Sequence, residues 1–215
     1  MIYSKQKDFL FIHIPKTAGT SIREVLSPYG GHSGIINFLA RRLEKKSPQI
    51  VRSLGWDSTR TYDAHTTYLQ VSEILGKNKM SSLFKFAFVR NPYARLYSFY
   101  LHILAHPEHL WYKKINAYGS FKQMLYNLDE VQEPTQKSYV IDEDGKLITD
   151  FIGRLENIEE DFKYICSKID IDYHLPKRNS RKHKHWSEVY DQEDYKLAYN
   201  FYKEDFDLFD YPKGF

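Results

Sequence analysis

A chain of 215 residues, 42% hydrophobic and 27% charged, has the composition of a globular protein with enough length to build a sizeable core in one domain, residues 1–215. Its net charge of +3 does not by itself imply a nucleic-acid partner, and no apolar run approaches the roughly 20 residues of a membrane span. There is no secretory pattern, and the single cysteine, Cys166, has no partner for an internal disulfide, so a reducing, cytoplasmic location is the expectation.

The first ordered signal is the apolar run Phe9–Ile14, too short for a globular helix and closed by Pro15. Continuous apolar character suits a strand covered on both faces, as in a parallel sheet. A small-residue loop follows, Lys16, Thr17, Ala18, Gly19, Thr20 and Ser21, and then Ile22, Val25 and Leu26 at helical spacing. Strand, small-residue turn and helix N-terminus together make an anion site, because unpaired N–H groups and the positive end of the helix dipole converge there. A Walker A loop would place its lysine after the second glycine, whereas Lys16 precedes Gly19.

Beyond the turn-rich stretch 29–34, Ile35, Leu39 and Leu43 suggest a helix ending in Arg41, Arg42, Lys45 and Lys46. This basic group is either a solvated face or a contact for an anionic acceptor. Residues 47–62 read as a long loop. Thr66 or Thr67 can cap a further helix bearing Leu69, Ile74 and Leu75, which places His65 at a loop–helix junction where a scaffold fixes a side chain yet leaves one side open. A capping or surface histidine is the alternative.

Residues 83–91 form the second strong strand, ending in Arg90. Asn91 is a good N-cap and Pro92 a natural first helical residue. Tyr93, Leu96, Tyr97, Tyr100, Leu101 and Leu104 predict the apolar face of the next helix, with Arg95, Ser98 and His102 opposite. Arg90, Arg95 and Ser98 are thus expected to share a crevice at the strand ends, where open α/β sheets bind ligands. The aromatic and histidine-rich segment 105–119 reads as an acceptor-facing loop, because metal-like spacing with Cys or carboxylate partners is absent.

A short helix is expected over 120–128, a polar linker over 129–137, and a hairpin over 138–151 turning at Asp144-Gly145. Asn157 and Glu160 suggest a capping box ahead of a helix with Ile158, Phe162, Ile165 and Ile169 inward, and Cys166 reads as core. Lys177, Arg178, Arg181, Lys182 and Lys184 form a basic run, either a solvated loop or one lying over a ligand. A last helix near 192–203 should bury Tyr195, Ala198, Tyr199 and Tyr202, with the tail around Tyr211 packing back. Aromatics make up 16% of the chain, which suits either a Tyr-rich core or stacking faces for a base or sugar.

Two segments carry a family resemblance. PKTAGTS after the first strand resembles the 5′-phosphosulfate loop of sulfotransferases that use 3′-phosphoadenosine 5′-phosphosulfate (PAPS). VRNPYARLYSFY resembles their 3′-phosphate motif, with Ser98 eight residues after Arg90 as the family has it. The likeness is to the glycan-modifying branch that includes the heparan sulfate 2-O-sulfotransferases, and DFIGRLENIEEDF (150–162) adds to it. The resemblance implies an α/β, P-loop-like three-layer fold with a central, mainly parallel sheet flanked by helices. It implies PAPS as donor, PAP as product, a hydroxyl acceptor on a carbohydrate, and no required metal. Lys16 would act at the bridging oxygen and His65 as base, matching the second histidine of the family's H-x-H segment, with Asp63 at the first position either assisting or capping a turn. The residues from Lys16 to Ser21, Arg90, Ser98 and Arg95 would hold the nucleotide, with Asn179, Ser180, Arg181 and Lys182 lying over it. A P-loop kinase using ATP and a non-catalytic module binding PAP or sulfated glycans are the competing readings.

Overall fold

A computed structural model describes residues 1–30, 77–131, 133–176 and 184–214. The expected helices over 35–46 and 66–76, together with Asp63, His65, Asn179, Ser180, Arg181 and Lys182, lie outside the described residues.

Four strands form one sheet in the order β1 (Ile2–Ser4), β2 (Phe9–Ile12), β3 (Phe84–Val89) and β4 (Phe151–Arg154). β1 runs antiparallel to β2, while β2–β3 and β3–β4 are parallel, with Phe9 opposite Phe84 and Phe86 opposite Phe151. Side-chain alternation splits the strands between two cores. Phe9, Phe11, Phe86 and Phe88 face α1 (Gly19–Leu26) and α7 (Ile158–Lys168), meeting Ile22, Val25, Phe162 and Ile165. Leu10, Ile12, Ala87 and Val89 face the opposite layer. That layer holds α3 (Pro92–Leu104), α4 (Tyr112–Ala117), α5 (Phe121–Tyr126), α6 (Leu128–Val131) and α8 (Gln192–Phe209), while α2 (Lys77–Ser82) leads into β3. Both faces of the central strands are covered, which is why their sequences are apolar without alternation. The result is the expected α/β architecture, a mostly parallel sheet flanked by helices. Among the described residues, no helix is long and apolar enough to cross a membrane.

Several local expectations shift. The face of α3 buried in the core is Tyr93, Leu96, Phe99 and Ile103, while Tyr97, Tyr100, Leu101 and Leu104 are only half-buried. Nearly every turn of this helix is apolar, so spacing alone could not select the inward face; Tyr97 and Tyr100 pack on Phe121 instead, at centroid distances of 5.1 and 5.3 Å. The expected hairpin shrinks to one bridge, Ile141 to Leu147, around a turn with Gly145 at φ 74°, and Tyr139 lies in a 3₁₀ turn. The capping box at Asn157 does not form: its side chain makes no cap bond, and the Asp161 carboxylate instead accepts from the Arg154 N–H at 2.6 Å. α8 runs beyond the expected Lys203 to Phe209, with non-helical angles at Tyr202, and Tyr195 is half-buried rather than buried. Its N-terminus carries a capping box of Asp191 and Asp194.

β1 and β4 had no strand signal of their own. β1 is three residues long, and β4 is four residues interrupted by Gly153. A Cβ on Gly153 would meet the Phe88 ring at 2.5 Å, so glycine lets β4 pack against that ring.

Candidate active site

β2 and β3 are adjacent and parallel, so the loops leaving their C-terminal ends emerge side by side. From β2 the chain passes through Pro15 into a loop in which Lys16 and Ala18 hold left-handed conformations, φ 68° and 62°. Such angles are uncommon outside glycine and persist where surrounding contacts enforce them. One contact is internal: the buried Thr17 hydroxyl donates to Ile14 O at 2.9 Å. Ala18 then serves as N-cap of α1, its carbonyl accepting from the N–H groups of Ser21 and Ile22 at 3.0 and 3.2 Å. The first-turn N–H groups of Gly19 and Thr20 have no acceptor within the helix, and the Thr20 and Ser21 side chains lie beside them, exposed and half-buried. Gly19 is required by close approach, because a Cβ there would lie 1.8 Å from the His13 ring.

From β3 the chain passes through Arg90 to Asn91, whose side chain caps α3 by accepting from Tyr93 and Ala94 N–H groups at 3.0 and 3.3 Å. Pro92 occupies the first turn, as the sequence predicted. The Arg90 backbone is gripped on both sides by Gln136, which accepts from its N–H and donates to its carbonyl, each at 2.8 Å. Gln136 is fixed in turn by Asp205 of α8, whose carboxylate accepts from the Gln136 and Lys137 N–H groups at 2.8 Å. Burial pushes the Asp205 carboxyl up from its usual range, against the pull of those backbone donors. Glu156 accepts from Asn91 N–H at 2.8 Å and from the Tyr211 hydroxyl at 3.0 Å. The strand end bearing Arg90 is therefore held by Gln136 and, at the next residue, by Glu156.

Between these loops opens a cleft of about 500 Å³. Lys16, Arg90 and Ser98 line it, with the Arg90 Nη1 reaching the Lys16 carbonyl at 3.4 Å. Tyr97, Leu101 and His102 of α3 also line it, as do His106, just past the end of that helix, and Lys184, His185 and Trp186. Trp186 is anchored on Tyr93 at 6.0 Å between ring centroids. Lys184 and His185 place the C-terminal end of the basic run on this cleft. Burial lowers the Arg90 guanidinium from its ordinary value while Glu156 opposes the shift, and an arginine so placed stays cationic at neutral pH. Planar donors and an ammonium lining one cleft suit a ligand with more than one anionic group.

Arg95 departs from expectation. It does not line the cleft but lies in the core at 2% exposure, bonded to the Pro15 carbonyl and paired with Glu133. Gln136, Glu133, Glu156 and Asp205 were not anticipated. Only Asp205 had a usable signal, since it falls in register with Ala198, Tyr202, Phe206 and Phe209 on the inward stripe of α8. Among the described residues no cluster of three or more His, Cys, Asp or Glu side chains could hold a metal, although His102 lies 4.4 and 6.0 Å from His106 and His109 between ring centroids.

A mainly parallel sheet with a strand–loop–helix turn beside an arginine-bearing strand end defines an α/β arrangement whose strand-end cleft, lined by cations, suits an anionic ligand. The model of the sulfotransferase family matches residues 1–212, so the chain belongs to the sulfotransferase family. No curated protein and no solved structure matched it.

Proposed function

We propose that this sulfotransferase takes its sulfuryl group from PAPS and delivers it to a carbohydrate hydroxyl, by in-line displacement, as in the heparan sulfate 2-O-sulfotransferase-like branch. The observation that carries the donor assignment is the common cleft of Lys16, Arg90 and Ser98, with Arg90 within 3.4 Å of the Lys16 carbonyl. A lysine and an arginine–serine pair lining one cleft suit a nucleotide phosphorylated at both 5′ and 3′ positions. The N–H groups of residues 17–20 and the Thr20 and Ser21 hydroxyls would bind the phosphosulfate end, and Arg90 and Ser98 the 3′-phosphate. The basic run, including Asn179, Ser180, Arg181 and Lys182, would lie over the nucleotide.

PAPS supplies the activated sulfuryl group. His65 would take the proton of the attacking hydroxyl as the new oxygen–sulfur bond forms. Lys16 would stabilise the negative charge gathering on the oxygen that leaves with PAP. An interaction that strengthens only as charge develops lowers the barrier without merely tightening binding. The carbohydrate acceptor rests on the resemblance of the motifs to the glycan-modifying branch.

A direct test incubates the protein with ³⁵S-labelled PAPS and a cell extract from its source, and identifies the labelled product. PAP should raise the melting temperature while ATP–Mg²⁺ does not; the reverse ranking would favour a P-loop kinase. PAP binding without transfer to any acceptor in a broad glycan panel would favour a binding module. His65→Ala should lower turnover by about 10²–10⁴-fold while PAP binding survives. Turnover retained in that variant would remove His65 as the base.

A further inference from the structure

Two peptide units flank the Cα of Lys16, and an arginine reaches the carbonyl of each. Arg95 Nε donates to Pro15 O at 3.1 Å, and Arg90 Nη1 approaches Lys16 O at 3.4 Å. Of the two arginines, only Arg90 lines the cleft. Arg95 is 2% exposed, and its Nη2 pairs with the carboxylate of Glu133, itself 11% exposed. A buried ion pair is a poor way to stabilise a helix contact, because desolvating both charges offsets most of their attraction and apolar side chains do the same work better. This pair has a further connection: the Arg95 Nε–H holds the loop on which Lys16 stands.

Glu133 is also electrostatically coupled to Lys16. Burial pushes the Glu133 carboxyl up, and Arg95 first and Lys16 second pull against that shift. Tyr202 closes the other side, its hydroxyl 3.5 Å from the Glu133 carbonyl. Lys16 meanwhile holds φ 68°, a conformation its surroundings must enforce. The pair therefore acts on Lys16 twice, through the peptide that precedes it and through the field at its ammonium.

We propose that the buried Arg95–Glu133 pair is a positioning element for Lys16, holding the Pro15–Lys16 peptide and aiming the ammonium at the oxygen where charge develops. This rests on the role given to Lys16 above. Glu133 and Arg95 touch neither nucleotide nor acceptor in this scheme. Their effect belongs in turnover rather than in nucleotide affinity.

The test uses Glu133→Gln and Arg95→Lys in the full chain; a lysine at 95 cannot serve Pro15 and Glu133 together as the guanidinium fork does. Small misplacements of a reacting group cost up to about 10²-fold in rate, so kcat should fall by about tenfold or more in each variant while the PAP Kd moves less than about threefold. Adding Glu133→Gln to Lys16→Ala should cost nothing beyond Lys16→Ala alone. Unchanged kcat, or losses that multiply in the double variant, would overturn the proposal. A readout independent of the donor is the NMR titration of ¹³C-dimethylated lysines, with the Lys16 signal identified by its disappearance in Lys16→Arg. Removing a nearby carboxylate should lower the Lys16 midpoint by about half a pH unit or more in Glu133→Gln; an unmoved midpoint overturns the proposal. If wild-type protein neither binds PAP nor transfers from PAPS, the donor reading fails, and this titration still decides the positioning role. If Glu133→Gln does not fold, Arg95→Lys carries the kinetic arm, and unchanged kcat there overturns the proposal.

Discussion

Lys16→Ala should lower the rate of sulfuryl transfer by about 10²–10³-fold, the effect of removing one donor aimed at developing charge. The loss should appear in kcat, because in the proposed role the ammonium's contribution would grow as the bridging oxygen takes on charge. The backbone offers no competing explanation. Lysine and alanine both carry a Cβ, so the left-handed conformation at position 16 is similarly strained in either. The loop's other restraints, Thr17 on Ile14 O and Arg95 on Pro15 O, use backbone acceptors that the substitution leaves in place. Initial rates with labelled PAPS, together with the melting shift caused by PAP, check this. A variant retaining turnover within tenfold of wild type would exclude Lys16 from the chemistry.

Arg90→Ala should weaken PAP by about 10–100-fold, the range of about 1.5–3 kcal/mol for a hydrogen bond to a charged group. Binding of 5′-AMP, which lacks the 3′-phosphate, should change far less. The two Gln136 bonds hold the backbone of residue 90 and are indifferent to its side chain, so truncation should not release the strand end. The contact of Arg90 with the Lys16 carbonyl is long, at 3.4 Å, and its loss should add little to the 5′ end. Calorimetric titration of both nucleotides decides the matter. Equal losses for PAP and 5′-AMP would contradict a 3′-phosphate role.

The two strands that carry the site were legible because their signals are local. Phe9–Ile12 and Phe84–Val89 are apolar runs bounded by residues that stop strands, and Asn91-Pro92 caps and starts α3 through contacts within a few residues. Gly19 likewise marked a turn at a helix start. The short outer strands β1 and β4 were not legible, because three or four residues with a glycine or a half-buried tyrosine carry no periodicity. Their pairing comes from the neighbour that recruits them.

Arg95 shows the limit most clearly. Helical spacing placed it with Ser98 on a polar face, and a charged side chain is ordinarily solvent-facing or ligand-facing. The protein instead buries it, because Glu133 lies 38 residues further along the chain and returns beside the Lys16 loop. Gln136 and Asp205, 69 residues apart, meet for the same reason and fix the Arg90 backbone.

By itself, the sequence marked the two central strands, the small-residue turn from Lys16 to Ser21 that opens α1 and the strand-end position of Arg90, all products of short-range sterics, capping and apolar runs, while the mainly parallel α/β framework followed from the family resemblance of the motifs. Tertiary structure alone decided that Trp186 lines the cleft with Lys16, Arg90 and Ser98, and that Arg95, expected beside them, turns inward to Glu133 and the Pro15 carbonyl. The physical reason is that a buried charge must find its partner wherever the fold brings one, and the distance along the chain between such partners leaves no periodic trace in either segment.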